Sequence, residues 1–346
     1  MSDASGAAPD DRAAEPQTAP PAGADGHAGP EESGAAFPAQ VRSARAEFEH
    51  HVAQARAEFE EANERIKERT GRDLIVAVLI GLGIGAVVLG TLLFVKDLFA
   101  LFALAAVLLG VFEFSRALVG AGHRVDLVPQ LLATAGLVTG AYFLDIRMLW
   151  VALFVAIAFV LVWRMFAQMM AKDARTYGDV LGDVVIAGFI QLYVAFMGAT
   201  CVVLLEQDGG QWWVLSFIVI AVAADTGAYI TGITLGRHKM APRISPNKTW
   251  EGFAGAGAAA MIAGVLLATL LLGLPWWAGV VFGLVVLGTA TIGDLGESMI
   301  KRDLGIKDMS SWLPGHGGVL DRLDSILPSA TAALALYILL SPLQAA

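Results

Sequence analysis

The chain carries one cysteine, Cys201, in 346 residues. It lies in an apolar run. A disulfide framework, a Cys-ligated zinc site and an iron–sulfur cluster are therefore excluded. Charge is scarce as well: 16% of the residues are charged and 56% are hydrophobic, where a soluble domain carries roughly 25% charge. The mean hydropathy of +0.65 agrees. An ordinary soluble enzyme is excluded, and a membrane protein is indicated. An excess of basic residues is missing too. With 23 bases against 32 acids and a net charge of −9, the composition argues against a nucleic-acid binder.

What charge there is falls unevenly. Residues 1–72 hold 14 acids and 8 bases, and the remainder holds 18 acids and 15 bases with nearly all the hydrophobicity. Residues 1–40 are Ala, Pro, Gly and acid, with Phe37 the one aromatic. Such a segment cannot bury enough surface to offset its chain entropy, so it is expected to be disordered. It has no basic start followed by an apolar core, so it does not read as a signal peptide. Residues 41–72 differ. Val41, Ala44, Phe48, Val52, Ala55, Phe59, Ala62 and Ile66 recur at spacings of three and four, which predicts one amphipathic helix. ARAEFE occurs at 44–49 and again at 55–60. The plainest reading is a solvated acidic helix leading to the membrane, with a short coiled coil or partner helix as the alternative. A membrane-lying helix is disfavoured, because anionic lipids repel its Glu-rich face.

Residues 73–346 read as a membrane-embedded domain. Apolar runs near 74–95, 98–115, 127–145, 148–165, 180–205, 212–234, 252–272, 275–293 and 326–343 each suit one crossing, which takes about twenty residues. The expected fold is all-α and polytopic, with about nine transmembrane helices and a disordered-then-helical N-terminal extension. With the N-terminus in the cytoplasm, the cytoplasmic loops of this domain hold thirteen basic residues and the opposite side holds Lys96 and Arg147. That asymmetry predicts a multi-pass plasma-membrane protein with its N-terminus and charged loops inside.

Two of those loops are dense in charge, Gly and Pro, and function concentrates on loops held by rigid elements. The first, 235–251, contains Ser245-Pro246-Asn247-Lys248-Thr249 just before a span. A hydroxyl, an amide, an ammonium and a second hydroxyl at a helix N-terminus make an anion site. The second is 294–325. Asp294 and Glu297 lie one turn apart, as do Asp321 and Asp324, so each pair shares a face. Isolated buried carboxylates are costly. Together these acids suit a hard divalent cation whose shell is completed by water and phosphate oxygens. Lys301, Arg302, Lys307 and Arg322 suit phosphate charge, and Gly317 and Gly318 let backbone N–H groups approach closely. Taken singly, most of these residues read equally well as surface ion pairs. Their concentration in one loop does not. His316 suits an acid–base or phosphate-donor role and, equally, a structural one. Asp225 lies inside a span and is a functional candidate on that ground. Glu113 and Asp183, near the ends of spans, read as interfacial. Cys201 reads as a small packing residue.

The second loop resembles a known family. Ser298-x-x-Lys301-Arg302-x4-Lys307-Asp308, followed by His316-Gly317-Gly318-x-x-Asp321-Arg322-x-Asp324, is similar to the signature of the CDP-diacylglycerol synthases, or phosphatidate cytidylyltransferases. Eleven fixed positions agree in order and spacing. The segments Asp225–Tyr229 and Ser245–Gly252 are similar to other motifs of that family, and the resemblance spans roughly residues 74–346. It implies a membrane-embedded, all-helical homodimer. The implied enzyme makes CDP-diacylglycerol and pyrophosphate from CTP and phosphatidic acid taken from the bilayer, with no nucleic-acid partner. It implies Mg²⁺, with room for K⁺ in the same site. Asp294 and Asp321 are then the metal ligands, with Glu297 and Asp324 as secondary ligands. The catalytic group is Asp294, Asp321, Lys301, Arg302, His316 and Asp225. Ser245, Asn247, Lys248, Thr249, Lys307, Asp308, Gly317, Gly318 and Arg322 bind substrate. A related CTP-using lipid enzyme, such as a polyprenol kinase or an archaeal-type lipid cytidylyltransferase, is a second reading. An ion-coupled transporter with Asp225 as coupling acid is a third, although no inverted repeat supports it.

Overall fold

The computed structural model describes residues 54, 74–172, 175–310, 312 and 317–344. Apart from Gln54, the stripe and repeat of residues 41–72 lie outside the described residues, as do Pro314, Gly315 and His316. Each of the nine apolar runs is helical. They form α1 (Leu74–Phe94), α2 (Lys96–Gly120), α3 (Leu127–Phe143), α4 (Ile146–Met170) and α5 (Tyr177–Glu206). They continue as α6 (Gly210–Thr234), α7 (Trp250–Leu270), α8 (Trp276–Asp303) and α9 (Leu320–Leu343), the last opening with the single turn Leu320–Leu323. Among the described residues, 7 helices are long and apolar enough to cross a membrane, and the apolar stretches Leu79–Phe94 and Leu127–Phe143 are shorter. Phe154, Phe166, Leu181 and Ile262 lie exposed on these helices while Phe114, Leu149, Ile190 and Phe282 are buried. Helices apolar on all sides belong in lipid.

Two boundaries differ from the sequence expectation. The eighth run was expected to end at 293, yet α8 continues to Asp303. Residues 294–303 are mostly good helix formers, and Lys301 and Arg302 in the last turn complement the helix dipole. Asp294, Glu297 and Lys301 therefore stand on a helix, and the second loop is left with the residues after 303. The first loop also contains a hairpin. β1 (Lys239–Ala241) pairs antiparallel with β2 (Ser245–Thr249). Glu251 secures its base by accepting from the backbone N–H groups of Arg237 (3.0 Å) and His238 (3.1 Å).

Local caps fix several starts. The Asp145 carboxylate accepts from Arg147 and Met148 N–H at the head of α4. Thr176 and Asp179 form a capping box on α5, satisfying donors that would otherwise be orphaned. Between spans, small residues set the approach. A Cβ on Gly264 of α7 would lie 2.3 Å from the Gly279 carbonyl of α8, so that seam closes only with glycine. Polar side chains bind α3 to α5. The Gln191 amide donates to the Gln130 side chain (2.6 Å), and Gln130 donates to the Ala187 carbonyl (3.0 Å). Gln191 opens a π-helical stretch, Gln191–Phe196, a local widening of the kind that frees backbone groups for such bonds.

Cross-helix contacts gather four connections at one end of the bundle. Asp183 accepts from Arg124 N–H (2.9 Å) and from the Arg175 guanidinium. Arg164 reaches Asp126 at 3.0 Å. Lys248 meets Asp294. Glu113 accepts from Ser310 and Leu320. At the opposite end, Tyr142 donates to Asp97 at 2.7 Å.

Candidate active site

The two charged segments found in the sequence meet in space. Strand β2 carries Asn247, Lys248 and Thr249 to a cavity between α6, α7 and α8, while Ser245 at the start of the strand does not line it. Asp225, Asn247, Lys248, Thr249 and Asp294 line it, with Ala224, Phe253, Ala256 and Leu287 as its apolar floor. Its volume is 260 Å³, near the lower end of ligand pockets. That suits phosphates and a head group, with lipid tails left outside. The Lys248 ammonium pairs with the Asp294 carboxylate across the cavity, and Ser298 lies within 3.4 Å of the other Asp294 oxygen. Asp225 is within electrostatic reach of Asp294, Asp324, Lys248 and Arg322. Thr249 is largely committed: it caps α7 by accepting from Gly252 N–H at 3.1 Å. Ser245 is half-buried, while Asn247 is exposed.

A second cluster lies deeper, where α8 packs on the first turn of α9. Gly293 makes that contact possible, since a Cβ there would sit 2.1 Å from the Asp324 carbonyl. Lys301 donates to Asp321 at 2.8 Å and lies 3.6 Å from Glu297. The other Asp321 oxygen accepts from Met309 N–H (2.9 Å) and Gly318 N–H (2.7 Å). Asp321 thus ties the two arms of the second loop together and holds one lysine. Glu297 is the contrast. It is fully buried, and neither of its carboxylate oxygens has a hydrogen-bond partner. The buried carboxyl of Asp324 stands beside it, itself accepting from Ser325 N–H at 2.6 Å. Two adjacent buried acids need a shared proton or a cation between them, and the Lys301 ammonium, 3.6 Å from one Glu297 oxygen, is the nearest cation the chain supplies.

The remaining residues spread outward. Arg302 is exposed and reaches the Ile306 carbonyl, just past the end of α8, at 3.4 Å. Lys307 and Arg322 are exposed on either side of the loop, Asp308 is half-buried, and Gly317 and Gly318 are buried. Among the described residues, no three His, Cys, Asp or Glu side chains form a ready metal cage. The two acids that the sequence favoured as ligands, Asp294 and Asp321, each pair with a lysine. Glu297 makes no hydrogen bond to a donor and has Lys301 3.6 Å from one oxygen. Glu113 and Asp183, read as interfacial, are both buried. Glu113's partners and the Arg124 N–H that meets Asp183 lie 59 or more residues away in the chain, where no local spacing signals a contact, whereas Arg175 is 8 residues from Asp183.

Comparison with known proteins gives this arrangement a family. The model of the cytidylyltransferase family matches residues 75–340. The chain belongs to the cytidylyltransferase family. Members with curated names include the phosphatidate cytidylyltransferase of Mycobacterium bovis, 36% identical over 270 residues, covering 77% of this chain and 88% of that protein. The phosphatidate cytidylyltransferase of Mycobacterium leprae is 35% identical over 288 residues, covering 79% of this chain and 90% of its own. The phosphatidate cytidylyltransferase of Brucella suis is 41% identical over a shorter stretch of 141 residues, 40% of this chain and 52% of that protein. The family match takes in every described site residue from Asp225 to Asp324 and leaves residues 1–74 outside.

Proposed function

We propose that this chain transfers CMP from CTP to phosphatidic acid, giving CDP-diacylglycerol and pyrophosphate, as a homodimer in the plasma membrane. The observation that carries this reading is the meeting of Lys248 with Asp294 over an apolar-floored cavity, next to the Lys301–Asp321 knot. Phosphate-binding and acidic groups then converge where a lipid head group can arrive from the bilayer. The names of the relatives support the same substrates. The bias of thirteen Lys and Arg against two supports placing this end in the cytoplasm, where CTP is.

In this reading an oxygen of the lipid phosphate attacks the α-phosphorus of CTP. The bond from that phosphorus to the bridging oxygen of the β-phosphate breaks, and pyrophosphate leaves. The attacking phosphate is already anionic, so it needs little general-base help. Repulsion between two anions is the obstacle. Lys248 and Lys301, held by Asp294 and Asp321, present ammonium groups in fixed positions, which stabilises charge without reorganisation. Arg322, within electrostatic reach of Asp225, adds positive charge to the site, and the exposed Lys307 and Arg302 would add more along the approach of the phosphates. Glu297 and Asp324, an acid pair with oxygens to spare, fit a divalent cation that keeps several waters and borrows phosphate oxygens. Asp294 and Asp321, each paired with a lysine in this structure, would have to share their carboxylates with the lysines to join its protein shell. Mg²⁺ there, with K⁺ beside it, would neutralise phosphate charge and orient the leaving group.

The test is direct. Purified protein is given phosphatidic acid, labelled CTP and Mg²⁺, and the expected products are labelled CDP-lipid and one pyrophosphate per turnover. A folded protein that forms neither product overturns the reading. Activity with a polyprenol in place of phosphatidic acid would move it to the related lipid kinases.

A further inference from the structure

We propose that Glu113 of α2 is a positioning residue for this reaction, holding Ser310 and the start of α9 at Leu320 in the arrangement that presents Asp321. The proposal rests on the function given above and adds a residue outside both charged segments. Glu113 is 2% exposed. One carboxylate oxygen accepts from the Ser310 hydroxyl at 2.5 Å and the other from Leu320 N–H at 2.9 Å. Those two donors stand ten residues apart, one on each arm of the loop. Asp321 repeats the grip one rung away, through Met309 N–H and Gly318 N–H. The arms are therefore stapled twice, by carboxylates from two different elements.

The fit around Glu113 is close. A Cβ on Gly318 would lie 2.6 Å from one Glu113 oxygen and 3.0 Å from the Ser310 hydroxyl. Only glycine lets the loop backbone lie against this carboxylate. The neighbouring Phe112 packs on Trp312 of the same loop, ring centroids 5.6 Å apart. A rigid span thus offers the loop both an apolar and a polar foothold. Asp321 already uses one oxygen on the loop and one on Lys301. With Glu113 removed, Asp321 and its two N–H bonds alone would hold the arms in register, and any slack there moves Lys301 and the reacting phosphates with it. The burial cost of Glu113 is met by a hydroxyl and a backbone N–H, so its contribution is geometric. An amide of the same shape makes the same two bonds, accepting from Leu320 N–H and donating to the Ser310 oxygen.

That equivalence supplies the test. Glu113→Ala, Glu113→Gln and Ser310→Ala are purified beside the wild type and assayed for CDP-lipid formation across CTP concentrations. In Glu113→Ala, kcat should fall about 100-fold while KM for CTP changes by less than about 3-fold, the pattern of lost alignment. Glu113→Gln should recover kcat to within about 3-fold of wild type, and Ser310→Ala should lose about 5-fold. A Glu113→Gln enzyme as poor as Glu113→Ala, a loss confined to KM, or wild-type kcat in Glu113→Ala overturns the proposal. If Glu113→Ala does not fold, the Gln and Ser310 variants decide alone: full recovery with a Ser310→Ala defect supports it, and any other combination overturns it. A wild-type chain that makes no CDP-lipid sinks the function reading instead. Amide exchange over 317–320 then reads the grip without activity. Faster exchange in Glu113→Ala but not Glu113→Gln supports it, and equal exchange in all three overturns it.

Discussion

Two groups of buried acids stand at the same end of the bundle, and they are satisfied very differently. Around Asp183, every interaction is balanced. One oxygen takes Arg124 N–H, the other takes the Arg175 guanidinium, and Arg175 also reaches the Gly122 carbonyl. The group joins the α2–α3 and α4–α5 connections to the head of α5 and leaves no charge over. Around Asp321 the acids outnumber the partners. Lys301 serves Asp321 and lies near Glu297, while Glu297 has no hydrogen bond and Asp324 crowds it. A folded protein rarely leaves a buried carboxylate in that state without a use for it. The difference separates a clamp from a site: complete pairing holds helices together, and incomplete pairing keeps binding capacity for something that arrives later.

Three substitutions test that distinction, beginning with the largest effect. Asp321→Asn keeps an oxygen for Met309 and Gly318 N–H but loses the charge that holds Lys301. CDP-lipid formation should drop about 10³-fold, the size expected when a preorganised charge at the reacting centre is lost, and because Glu297 remains 3.6 Å from Lys301 thermal unfolding in detergent should fall by less than in Asp183→Asn. Wild-type rates would remove Asp321 from the site. Glu297→Gln comes next. Activity should fall about 100-fold, and the unfolding temperature should change little, because the amide keeps the shape of a carboxyl that makes no protein hydrogen bond to a donor, and Lys301 keeps Asp321. A large loss of stability would show that Glu297 belongs to the clamp class after all. Asp183→Asn should do the reverse. It faces Arg175 with an amide and should cost about 2–3 kcal/mol, under the range for a fully buried pair because Arg175 can turn to water. The folded fraction should keep wild-type kcat. If kcat falls with stability unchanged, the two centres are not distinct.

Part of this was legible in the sequence, for physical reasons. A crossing has a fixed length, so the nine apolar runs announced helices, and each is helical among the described residues, seven of them long and apolar enough to cross a membrane. A helical turn has a fixed spacing, so the pairing of Asp294 with Glu297 and of Asp321 with Asp324 on shared faces followed from their separation by three. The meeting of Lys248 with Asp294 did not follow from spacing, because it depends on how α6, α7 and α8 pack through their small residues. Glu113 and Asp183 were misread for the same reason. An acid near a span end resembles an interfacial residue until the helix that buries it is placed. The continuation of α8 past 293 was hidden by charge, since Asp294, Glu297 and Lys301 break an apolar run without breaking a helix. The β1–β2 hairpin was hidden by its brevity.

The smallest effect tests the comparison from its other side. His123 stands near Asp183, its ring nitrogen 3.8 Å from a carboxylate oxygen that Arg124 N–H already occupies. At that distance it is no hydrogen bond. The ring is 40% exposed, and exposed pairs of this kind stabilise by about 0–1 kcal/mol. If Asp183 is as fully served as its geometry indicates, His123→Ala should move the unfolding temperature by less than about 2 °C and leave CDP-lipid formation unchanged. Differential scanning fluorimetry in detergent, with the assay run alongside, reads both. A shift as large as that of Asp183→Asn would mean that Asp183 is short of positive charge and draws on a third partner. The clamp would then be under-satisfied in the same sense as Glu297, and incomplete pairing would no longer mark the site.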